Sequence, residues 1–131
     1  MDDTVVENEV SRTLAGLASL VNQDEALIRR GRFVNLSFRI GVGHEAFLIA
    51  VAAGRLISVT PCRLATDTGI FGIHAAPDTW AKHWWPVPPR DFHDLFAMLP
   101  RRLAWLEGDL RPLMRNLQYF KDVMAKPRRS A

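Results

Sequence analysis

The chain has 131 residues, 48% of them hydrophobic and 24% charged, with a net charge of +3. That is the size and apolar content of one globular domain. Nowhere do about eighteen apolar residues run together, as a bilayer span requires, and Met1 to Glu9 is acidic where a secretory signal would be basic and then apolar.

A single cysteine, Cys62, cannot form an internal disulfide and has no Cys or His neighbours at zinc or redox spacing, so a reducing, cytoplasmic setting is expected. Asp2, Asp3, Glu7, Glu9, Asp24 and Glu25 crowd the beginning, and Arg111, Arg115, Lys121, Lys126, Arg128 and Arg129 crowd the end. No nucleic-acid-binding signature accompanies this charge, which reads as solvated faces and a basic tail. The expected division is a flexible acidic segment 1–9, a domain 10–125 and a basic tail 126–131. Neither nucleic acid nor integral membrane association is expected.

From Val10 to Arg30, Leu14, Leu17, Ala18, Val21, Leu27 and Ile28 approximate the stripe of an amphipathic helix, divisible at Asn22 to Asp24 and ending at Gly31 in a left-handed cap. The period then becomes two: Val34, Leu36, Phe38 and Ile40 alternate with polar residues in a first strand. Gly41 and Gly43 supply a turn, Ala46–Ala52 is apolar on both faces, and Arg55–Thr60 completes an antiparallel meander at Pro61. After a polar connection, Gly69–Ala75 forms a fourth strand, and Pro77 with Asp78 opens a short helix through Trp85. Three prolines in Pro86–Arg90 break it. Asp91 stands at an N-cap before Phe92, Leu95, Phe96 and Leu99. Arg102–Glu107 alternates as a fifth strand. Asp109 and Pro112 then begin a last helix whose stripe is Leu110, Leu113, Met114, Leu117, Phe120 and Met124. The fold class is α+β, a five-stranded, mainly antiparallel sheet covered by helices.

This order of elements resembles that of the sterol carrier protein type 2 family over Val10 to Met124. IFGIHAAPDTW at Ile70–Trp80 is similar to the family's strand leading into a capped helix. LFAML, RLAWLEGDL and PLMRNL, between Asp94 and Leu117, resemble its apolar helix, its strand ending in an acid or base before Gly-Asp, and its leucine-rich helix. The chain departs from the pattern at WWPVPPRDFHD (Trp84–Asp94) and at Pro100-Arg101. The resemblance implies a bacterial-type relative holding a sterol, fatty acyl or isoprenoid-type lipid in an apolar tunnel, without a cofactor and without catalysis. It also implies that Trp105 faces the last helix, so that Trp105, Leu113, Leu117 and Phe120 line the tunnel, with Trp80, Trp84 and Phe96 adding aromatic surface for a ligand. Trp85 is expected at the surface, and Trp105 is expected to matter more than Trp85 for binding.

Two alternatives stay open. His74, His83 or His93, with Asp78, Asp91 or Asp94, could serve a small-molecule isomerase or cyclase as acid or base. Trp84, Trp85 and the proline-rich turn could instead form an interaction surface for a homodimer or a partner enzyme. No spacing suits a metal, and Gly41-Val42-Gly43 lacks the third glycine and following helix of a dinucleotide loop.

Overall fold

Glycine and a capping aspartate cut the N-terminal apolar stripe into three helices. The computed structural model describes residues 3–64 and 68–128 and begins with α1 (Asp3–Ala15), α2 (Leu17–Asn22) and α3 (Glu25–Arg30). Residues 3–9, expected to precede the domain, form the first turns of α1. Asp24 starts α3 by accepting the Leu27 amide at 3.0 Å, satisfying one of the orphan donors of a first turn. Gly31 does terminate α3, but at φ −98° rather than in the expected left-handed form. Its glycine is explained by close approach, since a Cβ there would lie 2.1 Å from Tyr119 Cε1.

The strands are β1 (Asn35–Val42), β2 (Glu45–Ala52), β3 (Arg55–Pro61), β4 (Phe71–Ala75) and β5 (Ala104–Gly108), in the order β3-β2-β1-β4-β5. β1 and β4 are parallel and the other pairs antiparallel. Period-two alternation sorts the side chains. Phe38, Ile40, Val42, Phe47, Ile49, Val51, Phe71 and Ile73 are buried on the helix-covered face, while Arg39, Ala46, Leu48, Ala50, His74, Trp105 and Glu107 occupy the other face with the backbones of Gly41 and Gly72. The second face of β2, expected to be covered, is only half-buried. Asn22 of α2 guards the β3 edge: its amide donates to Leu56 O and its carbonyl accepts from Leu56 N, both at 2.9 Å.

The remaining helices are α4 (Pro77–His83), α5 (Leu95–Met98), α6 (Arg111–Arg115) and α7 (Leu117–Ala125). Asp94, not Asp91, caps α5, accepting the Phe96 amide at 3.1 Å; Asp91 has φ 74° and faces Arg101 at 3.6 Å. The expected single last helix is interrupted at Asn116 (φ −121°, ψ 36°). That break resets the helical phase. Leu113, Phe120 and Met124 stay buried as expected, Met114 turns outward, and Tyr119 and Val123 enter the core. Phe120 meets Phe38 and Phe71 edge-on with ring centroids 5.2 Å from each, while Phe38 and Phe71 stack at 5.3 Å, so three aromatic faces join helix to sheet. Tyr119 donates its hydroxyl to Gly54 O at 2.7 Å, and burial pushes the phenol up to about 12. The beginning of the expected basic tail is anchored: Lys126 meets Asp24 at 2.6 Å, and Arg128 donates to the carbonyls of His83 and His93, each at 3.0 Å.

Candidate functional site

Trp80 and Trp84, one turn apart on α4 and just beyond it, stack with centroids 5.7 Å apart. Neither indole carries an unpaired N–H: Trp80 donates to Gly41 O at 2.9 Å, and Trp84 to Met124 O at 2.7 Å. These bonds tie the pair to β1 on one side and to the end of α7 on the other. Outside the pair lies a groove of about 420 Å³ between α1, α2 and the end of α4. Val10, Leu20, Ala81, Trp84, Trp85, Pro86 and Pro127 line it, with Glu9 and Thr13 also contributing. A concave groove of this size, with Trp84, Trp85 and aliphatic side chains beside Glu9 and Thr13, offers a mixed wall on which a small partly apolar molecule could lie. Of these residues only Trp84 was named as a ligand contact from the sequence. The WWP sequence at Trp84–Pro86 was the available signal, and it pointed to an interaction surface instead.

The other expected ligand contacts do not all share one face of the sheet. Leu113 and Phe120 are fully buried in the aromatic core, Leu117 and Phe96 are half-buried, and Lys121 lies over the Phe96 ring at 5.2 Å. Trp105 corrects the expectation most clearly. It pairs with His74 in the sheet register, so it points to the face opposite α7 and is 53% exposed. Alternation required this: the neighbour that faces the helices is Leu106, opposite Ile73.

On that outer face the His74 imidazole lies over bare backbone. A Cβ on Gly41 would sit 2.1 Å from its Nδ1, and one on Gly72 would sit 2.6 Å from its Nε2. Nε2 pairs with Glu107 Oε1 at 2.6 Å, and the ring stacks nearly parallel on Trp105, with centroids 5.5 Å apart. Alternation along β4 and β5 could have revealed this pairing, which the sequence reading missed.

None of the anticipated histidine–aspartate pairs forms as a hydrogen bond or ion pair among the described residues. Asp78 pairs with Lys82, Asp91 with Arg101 and Asp94 with Lys121. His93 is exposed, whereas His83 is 1% exposed with Nδ1 2.7 Å from Phe92 O. Burial, reinforced by Arg128, holds the His83 pKa below its ordinary value, so the ring is neutral and donates through Nδ1–H. Burial acts to raise the Asp94 carboxyl, but the Lys121 ammonium and the Phe96 amide outweigh it and hold the group low. Among the described residues, no three His, Cys, Asp or Glu side chains group as metal ligands, and no helix is long and apolar enough to cross a membrane.

No family model matches this chain, and no curated protein sequence does. Solved structures do match. Sterol carrier protein 2 superposes with a TM-score of 0.71 at 16% identity, covering 92% of this chain and 96% of that one. A conserved hypothetical protein from Thermus thermophilus, described as possibly a sterol carrier protein, matches with 0.61 at 15% over 92% and 88%. The UbiJ-SCP2 ubiquinone synthesis protein matches with 0.59 at 16% over 88% and 91%. At such identities the likeness concerns the arrangement of the backbone, and function has to be argued from the site. With its mostly antiparallel five-stranded sheet and layer of helices, the chain has a sterol carrier protein type 2-like fold.

Proposed function

We propose that this chain binds a hydrophobic small molecule of the sterol, fatty acyl or isoprenoid class and carries it without reacting with it. The observation that carries this reading is the groove over the locked Trp80–Trp84 pair, within a fold shared with proteins named for sterol carriage and ubiquinone synthesis. Trp84, Trp85, Val10, Leu20 and Ala81 are the proposed contacts, and Trp80 backs Trp84. Leu113 and Phe120 are fully buried, so the proposed site is the groove against Trp84 and Trp85 and not the space around those two side chains. Expelling water from such a wall supplies the affinity, and rigid indoles lose little entropy on binding.

The test is native mass spectrometry of freshly purified protein with extraction of any retained lipid, followed by titration with fluorescent acyl, sterol and quinone probes. The expected result is saturable binding of at least one probe with quenching of tryptophan emission. Failure of all three classes to bind to folded protein would remove the carrier reading.

A further inference from the structure

His83 ends α4 and is 1% exposed. Its Nδ1 stands 2.7 Å from Phe92 O, and because a carbonyl only accepts, the proton of the neutral ring is on Nδ1. The other nitrogen, Nε2, is buried and has no hydrogen-bond partner among the described residues. Trp80 meets the ring edge-on with centroids 6.1 Å apart, but its one N–H is already given to Gly41 O.

Two segments are joined at this residue. The strap Trp84–Asp94 returns to it through Phe92 O, and the tail Lys126–Arg128 reaches it through Arg128, which donates from Nε to His83 O and from Nη2 to His93 O, each at 3.0 Å. The same strap and tail supply Trp84, Trp85, Pro86 and Pro127 to the groove. A second proton on the ring would land at that joint. Its Nε2–H would find no acceptor, and Arg128 Nη2 already lies 3.3 Å from Nδ1. The remaining charged groups give little relief: His93 adds a like charge when protonated, Asp94 is held by Lys121 at 3.1 Å, and Lys82 on the same helix is held by Asp78 at 3.0 Å. A buried imidazolium with an unbonded N–H beside a guanidinium is costly, and parting strap from tail relieves it without disturbing the sheet.

We propose that His83 is an acid-operated latch on the groove: protonation of Nε2 parts the Trp84–Asp94 strap from the Lys126–Arg128 tail and lets a molecule bound between them go. Release of a ligand rests on the carrier reading, whereas opening of the latch does not. The freed ring takes up its proton near 6.5 and the closed ring only below that value, so the closed form is fully favoured above pH 6.5 and loses ground as the pH falls. A single proton shifts the closed-to-open ratio by at most about tenfold per pH unit.

The test uses the full chain without ligand between about pH 7.5 and about pH 5. Imidazole nitrogen NMR follows His83, while amide exchange, corrected for its intrinsic pH dependence, follows Trp85, Phe92 and Arg128 against Phe38 and Ile49 of the sheet. The expected result is an Nε2 that is bare at neutral pH and gains its proton within this range, with protection at Trp85, Phe92 and Arg128 falling about three- to tenfold as it does so and protection of the sheet unchanged. A fluorescent acyl probe should weaken by a similar factor. His83→Asn, which keeps a donor for Phe92 O, should flatten both profiles; if it fails to fold, coincidence of the ring titration with the loss of strap protection in the parent protein decides. A ring that stays neutral throughout, a strap indifferent to its protonation, sheet and strap losing protection together, a folded His83→Asn variant with the parent's profile, or a bound probe whose affinity ignores the open strap would each overturn the proposal. If the strap opens as described but no probe binds at neutral pH, the carrier reading fails and the latch stands.

Discussion

Tyr119→Phe removes one oxygen atom at the junction of α7, α3 and the β2–β3 turn. The hydroxyl donates to Gly54 O at 2.7 Å, Gly54 is buried, and the ring lies where any side chain at residue 31 would have to be. Phenylalanine keeps the ring contacts and orphans the Gly54 carbonyl. Losing the bond and leaving a buried acceptor costs about 1–3 kcal/mol. For a chain of this length the unfolding entropy is about 0.28 kcal/mol/K, so the melting temperature should fall by about 4–10 °C at pH 7. Calorimetry or far-UV circular dichroism would measure it.

The pH dependence checks the cause. The folded phenol is raised from 10.0 to about 12, so its stabilisation is complete below pH 10 and is lost as the unfolded chain ionises above it. The gap between parent and variant should therefore narrow from pH 10 toward pH 12. A melting change under about 1 °C at neutral pH, or a gap that widens above pH 10, would show that the hydroxyl is not satisfied by Gly54 in this way.

The ranking of tryptophans at the ligand site reverses the expectation drawn from the sequence. Trp85 is 48% exposed, leaving roughly 100 Å² of indole free. A ligand covering half of that area would lose about five- to tenfold in affinity in Trp85→Ala, whereas Trp105→Ala should leave probe binding unchanged; equal losses in a fluorescence titration would refute the assignment. His83, whose folded pKa lies below 6.5, favours folding above that pH and loses its contribution as the unfolded chain takes up a proton below it. Urea melts of His83→Asn, which retains a donor for Phe92 O, should thus show less loss of stability between pH 7 and pH 5 than the parent, and parallel losses would count against a buried neutral ring. Asn22→Leu should lower the urea midpoint by the equivalent of about 1–3 kcal/mol and increase light scattering on storage by baring the β3 edge; unchanged scattering would show that Asn22 does not guard it.

Much of the sheet was legible because alternation and turn residues act over a few neighbours. Phe38 and Ile40 against Arg39, or Pro77 at the start of α4, declare their places locally. The parallel pairing of β1 with β4 was not declared anywhere, because it joins residues far apart through a crossover. Trp105 shows how a correct strand can still mislead: its period was evident, but which phase faced the helices depended on Ile73, not His74, being the covered residue of its neighbour. Tyr119 was hidden by the break at Asn116, which a continuous stripe from Leu110 to Met124 passes over. Trp84 was recognised as aromatic surface, but its groove is built from Val10 and Leu20, over sixty residues earlier.

The break at Asn116 also divides the last helix into a stiff part and a compliant one. α7 is fastened along its length by Tyr119 to the β2–β3 turn, Lys121 to the cap of α5, the Met124 carbonyl to Trp84 and, just beyond it, Lys126 to the cap of α3. α6 has five residues, starts at a proline-bearing turn and buries only Leu113. With fewer long-range fastenings than α7, α6 is expected to yield first when the helical layer is disturbed. Opening of the layer by thermal fluctuation should begin as a hinge at Asn116, with α6 lifting while α7 keeps its seat on the sheet.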